Sequence, residues 1–253
     1  MQLSIFHALR SYLPFGSRER DEEAAKIQAE KDHGYVRGDI SARGPCPAMN
    51  ALANQGYLPR DGKNISIARA EAALMTALHM DSVLAHTLAS QLKPFLHAKT
   101  NTFDLVDMRR HGVVERDVSF TRLDFRHGDN YTFQPSMFAA MQADAARVNG
   151  DDGATTVRSL AATYRRRERE EKSDSPPSAG LSWRLYFVSL VQTVSFLHTA
   201  DVGGRLDRDV LAEFYTLERF PDVVLENQST RHLTGLVANT LQLAYYLWFG
   251  GVK

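Results

Sequence analysis

Cysteine is nearly absent from this chain: Cys46 is the only one in 253 residues. A lone thiol excludes an internal disulfide and a multi-cysteine zinc site. It also removes any sequence sign of an oxidising compartment. Charge of one sign is lacking as well. Thirty basic residues balance thirty acidic ones, so no overall field points to nucleic acid as a partner. No uninterrupted apolar run reaches the roughly eighteen residues of a membrane span. The nearest approach, LTGLVANTLQLAYYLWFGG at 233–251, is broken by Thr, Asn and Gln and reads as a buried helix. The first twenty residues lack a basic start, and His7 and Arg10 interrupt their apolar run before any small-residue cleavage site. That is a poor signal peptide, and the expected location is intracellular.

The composition is otherwise ordinary for a globular protein, with 43% hydrophobic and 24% charged residues. Leu3, Phe6, Leu9 and Leu13 are spaced for one helical face. This suits a helix docked on the domain or a weak membrane-surface contact. The apolar C-terminal segment allows the same contact, a homodimer interface, or packing on the domain. Residues 17–33 form a charged helix or linker, so 1–33 reads as an N-terminal extension, 34–224 as the main domain and 225–253 as a C-terminal apolar helix. Helix formers run from Ile65 to Leu92, with Asn64 or Ser66 as caps. Residues 101–135 look irregular, and loops of that length in compact domains are usually functional. Helices are predicted over Ser136–Val148, 155–172, Trp183–His198 and Asp207–Glu218, with a breaker at Pro176-Pro177. No strand–helix alternation appears, so the class is mainly α. The run Arg165-Arg166-Arg167-Glu168-Arg169-Glu170-Glu171-Lys172 interleaves opposite charges at helical spacing and reads as a solvated face.

Cys46 sits between two prolines in Gly44-Pro45-Cys46-Pro47. Pro47 suits the first turn of a helix, since it lacks the N–H that is orphaned there and its φ is already helical. Cys46 then falls at the N-cap, where free N–H groups and the helix dipole favour an anion. Three fates stay open on these residues alone: small buried filler, nucleophile, or single thiolate ligand to a metal. The surroundings favour the third.

The segment from Pro45 to Lys63, PCPAMNALANQGYLPRDGK, resembles the signature of the haem-thiolate peroxidases, the family of chloroperoxidase and the unspecific peroxygenases. The family pattern is Pro-Cys-Pro, then Asn, then Ala-Asn-His-Gly-Tyr-Leu-Pro-Arg; Gln55 stands where His is usual. A second stretch, Glu115-Arg116-Asp117-Val118-Ser119 with Arg122 and Asp124, is similar to the family's Glu-His-Asp or Glu-Gly-Asp segment. Gly128-Asp129-Asn130 and Phe133 continue it. A third, Leu211–Tyr215 with Glu218-Arg219-Phe220-Pro221, resembles the family's late helix and closing Glu-Arg-Leu-Pro.

The resemblance implies a single-domain helical fold with long irregular loops, with haem b as cofactor and Cys46 as its axial iron thiolate. Such a thiolate pushes electron density onto iron and favours O–O cleavage. Glu115, the Arg116 backbone carbonyl and Ser119 match the positions that hold Mg²⁺ or Mn²⁺ with a haem propionate, all hard oxygen donors. Position 116 is a His in many short members, paired with a distant Glu for acid–base work on peroxide. Here it is Arg116, which stays charged and cannot shuttle protons, although it can stabilise separating charge. Asp117 is expected to orient Arg116. Alignment of Ser189–Leu197 with the family's late motif puts Gln192 at the acid–base position, and an amide is no base. His127, Asp124 and Asp117 are the other candidate bases.

The implied function is peroxide-dependent hydroxylation or epoxidation of a small organic substrate, in the manner of family members that serve fungal secondary metabolism. The alternative is a haem-thiolate protein with little peroxygenase activity, which catalyses a rearrangement, dehydration or coupling or only binds haem or ligand. A cysteine-nucleophile enzyme with a His partner is a third class, but no local hydrolase signature surrounds Cys46.

Overall fold

The computed structural model describes residues 18–150, 153–173, 181–200 and 203–250. The helical face expected at Leu3–Leu13 and the Pro176-Pro177 breaker lie outside them. Among the described residues the regular structure is helical, and β-pairing is limited to isolated bridges. The chain order is α1 (Arg18–Ala29), α2 (Pro47–Asn54), α3 (Ile67–Leu78), α4 (Ser82–Ser90), α5 (Pro135–Asn149), α6 (Val157–Ser173), α7 (Trp183–Ala200), α8 (Arg208–Ala212), α9 (Asp222–Leu225) and α10 (Leu233–Trp248). The mainly α class and single domain predicted from the sequence are the observed ones.

The charged α1 lies along α3. Ile27 is fully buried there, and Arg69 reaches across to Glu30 at 3.0 Å and to the Tyr57 carbonyl at 3.1 Å. The single helix expected from Ile65 to Leu92 is instead two. Ser66 caps α3 by accepting from the Arg69 N–H at 3.0 Å. The helix then stops at His79, which is left-handed with φ 48°. Asp81 starts α4 by accepting from the Leu84 N–H at 2.7 Å. The break is held from far along the chain, because Arg231 donates its N–H to the His79 carbonyl and accepts from the Asp81 N–H, each at 2.9 Å. Helix propensity carries no trace of that distant partner.

Helices α5 and α6 pack as a pair, and α6, α7 and α10 pack on one another. The C-terminal helix is buried on one face only. Leu236, Leu243 and Leu247 enter the core, while Val237, Leu241, Tyr245 and Trp248 face outward. The apolar run therefore reads as more buried in sequence than it is. The Arg165–Lys172 run also divides. Arg165 pairs with Glu168 and Arg166 with Glu170 on the outer side, while Arg166 also reaches the buried Asp144. Arg167 turns inward and is buried, so the run is not a purely solvated face.

The expected helix Asp207–Glu218 is α8 followed by a π-turn over Glu213–Leu217, which ends at a left-handed Glu218, φ 50°. The widening is tied to α2. Asn50 and Asn54, one turn apart on α2, both donate to Glu218: Asn50 Nδ2 to Oε1 at 2.8 Å, and Asn54 Nδ2 to its carbonyl at 3.0 Å. Gln55 then exchanges two bonds with the Phe220 backbone, donating to its carbonyl at 3.0 Å and accepting its N–H at 2.8 Å. These three amides are 0%, 1% and 2% exposed, so each unmade bond there carries a full desolvation cost. Gln55, the departure from the family's His, is thus a clamp between two distant segments. Gln55→Ala is expected to lower unfolding stability by about 3 kcal/mol, since it strands both Phe220 groups; urea denaturation reads it.

Candidate functional site

Cys46 is the N-cap of α2 with Pro47 in the first turn, as its sequence setting predicts. The turn before it is held from within the helix. Asn50 Oδ1 accepts the Gly44 N–H at 3.0 Å, and Asn50 Nδ2 donates to the Gly44 carbonyl at 2.8 Å. Gly44 must be glycine, because a Cβ there would lie 2.5 Å from the Leu105 carbonyl oxygen. The sulfur is therefore carried on a turn fixed on both sides. Burial pushes the Cys46 thiol up from its ordinary pKa, while the N–H groups of Met49 and Ala48 and the Arg122 guanidinium pull it down. A thiol in that balance becomes a thiolate once a metal cation shares the site, since coordination removes its proton.

Arg122 is buried, at 2% exposed. It donates through Nη2 to Glu218 Oε1 at 2.5 Å and through Nη1 to Thr121 Oγ1 at 2.8 Å. Its Nε–H has no hydrogen-bond partner. Tyr215, packed against Phe138 and Phe214, feels both Arg122 and Cys46, and burial pushes its phenol up to about 12. Asn50, Glu218, Arg122 and Tyr215 thus gather around the cysteine. The sequence reading assigned none of them a role. The signal was present, because Asn50, Arg122 and Glu218 all lie inside the matched motifs.

The 115–124 loop carries the remaining predicted residues. Arg116 is buried and held by four hydrogen bonds: Nη1 donates to the Asp117 and Val118 carbonyls at 2.8 and 3.0 Å, Nη2 to the Ser189 carbonyl at 3.4 Å, and Nε to Gln192 Oε1 at 3.2 Å. The structure therefore brings Arg116 and Gln192 together, 76 residues apart. Gln192 is exposed on α7, and its Nε2 donates to the Val114 carbonyl at 3.0 Å. The contact of Asp117 with Arg116 runs through its carbonyl; its carboxylate accepts the Phe125 N–H at 2.8 Å. Val118 sits at φ 64°, a strained setting for a β-branched residue. Asp124 holds it there by accepting its N–H at 2.8 Å, and Arg167 pairs with the same carboxylate at 2.9 Å. Asp124 is thus committed to structure. His127 is exposed on the short turn Phe125–His127.

Glu115 is buried, and its Oε2 meets His111 Nδ1 at 2.8 Å. His111 stacks on Phe125 at 4.5 Å and places Nε2 3.9 Å from Asp117 Oδ2. Burial pushes the Glu115 carboxyl up, while His111 and Asn130 oppose the rise. Ser119 gives its carbonyl to Arg167 Nε at 2.8 Å. Among the described residues no three His, Cys, Asp or Glu side chains group to hold a metal. The expected divalent-cation set has one carboxylate, Glu115, which is too little charge for a cation without a donor from outside the chain. The haem iron is a different case. A preformed N-cap thiol, N–H groups that favour its anion, and a buried cation beside it fit a thiolate-ligated metal centre.

The loop therefore ties two ends of the site together, Arg116 to α7 and Arg122 to Glu218, which Asn50 links to the cysteine turn. Its integrity rests on Asp124. Asp124→Ala strands the strained Val118 N–H and takes one of the two carboxylates from Arg167, which keeps Glu170, and is expected to cost about 3 kcal/mol of stability, read from thermal and urea unfolding.

Comparison with known proteins agrees with this geometry. The family model described as "Peroxidase, family 2" matches residues 33–231. An aromatic peroxygenase of Cyclocybe aegerita is 27% identical over 85% of this chain and 63% of its own length. An aromatic peroxygenase of Coprinellus radians is 29% identical over 72% of this chain and 75% of its own. A chloroperoxidase of Leptoxyphium fumago is 33% identical over 40% of this chain and 31% of its own. The chain thus spans under two thirds of the first and third of these relatives. With the match covering most of its length and including the cysteine turn, the Arg116–Asp124 loop and the Glu218 segment, the chain belongs to peroxidase family 2, the haem-thiolate peroxidases.

Proposed function

We propose that this protein binds haem through Cys46 and uses hydrogen peroxide to oxygenate a small organic substrate. The carrying observation is the fixed N-cap cysteine, held by Asn50 through both polar groups of Gly44. Haem, when bound, supplies peroxide cleavage and oxygen transfer, and a thiolate ligand favours the cleavage. The names of the relatives, aromatic peroxygenase and chloroperoxidase, support the reaction class.

The chain's own residues do the rest. The Met49 and Ala48 N–H groups and Arg122 favour the thiolate. Arg116, fixed by three carbonyls and Gln192, presents a permanent positive charge that stabilises an anionic oxygen. It moves no proton. A divalent cation at Glu115, the Arg116 carbonyl and Ser119 belongs to the same proposal, completed by a haem propionate.

One observation favours the second reading, a haem-thiolate protein with little peroxygenase activity. Gln192 spends both ends of its amide, on Arg116 and on the Val114 carbonyl. No carboxylate stands at that position to carry a proton between the peroxide oxygens.

Two measurements test the ligand that both readings share and the base that the second says is missing. Cys46→Ala is expected to lose the red-shifted Soret band that carbon monoxide gives on thiolate-ligated ferrous haem; an unchanged band removes the cysteine from the iron. Gln192→Glu places a carboxylate beside Arg116 and is expected to raise peroxide-dependent turnover of a model aromatic substrate by at least about tenfold, because positioned acid–base groups contribute about 10²–10⁴. A rise shows that a missing base limits the wild type; unchanged turnover takes position 192 out of the acid–base role.

A further inference from the structure

We propose that Arg122, held by Glu218, is a positioning residue that sets how strongly the Cys46 thiolate donates to iron. The inference rests on the haem-thiolate reading. Three observations carry it. Arg122 is almost wholly buried, yet its Nε–H has no hydrogen-bond partner. Glu218 balances its charge, but a buried N–H without an acceptor remains costly, and a ligating thiolate is an acceptor. The guanidinium is also joined to the cysteine turn by an unbroken chain. Arg122 Nη2 donates to Glu218 Oε1 at 2.5 Å, the same oxygen accepts Asn50 Nδ2 at 2.8 Å, and Asn50 grips Gly44 at 2.8 and 3.0 Å. Finally, Arg122 and Glu218 set opposite charges on that same chain of hydrogen bonds to the cysteine turn. Glu218 is itself held left-handed by α2, so the pair has little freedom to move.

The arrangement resembles a charged group set behind a metal ligand, where the outer partner tunes ligand basicity and potential. The cation draws electron density from the sulfur and weakens its donation. The carboxylate limits that effect and fixes the cation's place. Their opposed signs make the inference separable from a purely structural role.

The test is the ferric/ferrous reduction potential of the haem-loaded protein, measured beside its carbon monoxide spectrum. Arg122→Gln is expected to shift the potential negative, because the sulfur donates more strongly without the cation. Glu218→Gln is expected to shift it positive, because the cation is then less balanced. Arg122→Lys, which keeps the charge, is expected to stay closest to the wild type. If Arg122→Gln does not fold, the other two variants still decide the matter. Shifts of one sign in all variants, or potentials that coincide with the wild type, overturn the inference. Absence of the thiolate spectrum from the wild type itself instead overturns the haem-thiolate reading beneath it.

Discussion

Everything in the site depends on the buried amides of α2 finding partners. Asn50, Asn54 and Gln55 have almost no access to water, so their hydrogen bonds must be made within the protein. They are made to Gly44, Glu218 and Phe220, and these bonds decide where the chain goes. The Gly44 bonds set the cysteine turn. The Glu218 bonds open α8 into a π-turn and leave a non-glycine residue left-handed. The Phe220 bonds fasten the segment that follows. Hydrophobic burial supplies the bulk of the driving force for such a fold, but it is indifferent to where a sulfur atom points. The directional bonds of α2 are not.

The 115–124 loop answers to the same constraint from the other side. It holds four buried arginine or carboxylate groups, each paid for locally: Glu115 by His111, Arg116 by carbonyls, Asp124 by Arg167 and the Val118 N–H, Arg122 by Glu218 and Thr121. Its strained Val118 persists because Asp124 and Arg116 hold the N–H and the carbonyl of that residue. The loop thus acts as a strut between α7, where Arg116 meets Gln192, and the end of the π-turn, where Arg122 meets the Glu218 that Asn50 links to the cysteine turn. A permanent cation at each end is a different electrostatic setting from one that pairs a proton-shuttling His with a Glu.

Much of this was legible in the chain. Pro47 after Cys46 announced both the helix start and the N-cap, because proline's fixed φ and missing N–H fit only a few positions. The Arg116–Gln192 juxtaposition followed from aligning two motifs, and the structure places them in hydrogen-bond contact. Other features were hidden for physical reasons. The His79–Asp81 break depends on the backbone of Arg231, and no local propensity reports a partner 150 residues away. The inward turn of Arg167 depends on a buried Asp124 that its own charge-alternating helix does not reveal. Gln55 looked like a mere departure from pattern, and only its pairing with Phe220 shows what the amide does. The exposure of Gln192 followed from the packing of α7, which a motif alignment cannot see.

The central claim is that a single sulfur, preset at the start of α2, is the ligand this fold offers to iron. Iron K-edge X-ray absorption of the haem-loaded wild-type protein tests it most directly. The account predicts one sulfur neighbour at thiolate distance in the first shell of the iron, beside the porphyrin nitrogens. A first shell of nitrogen and oxygen alone would contradict it.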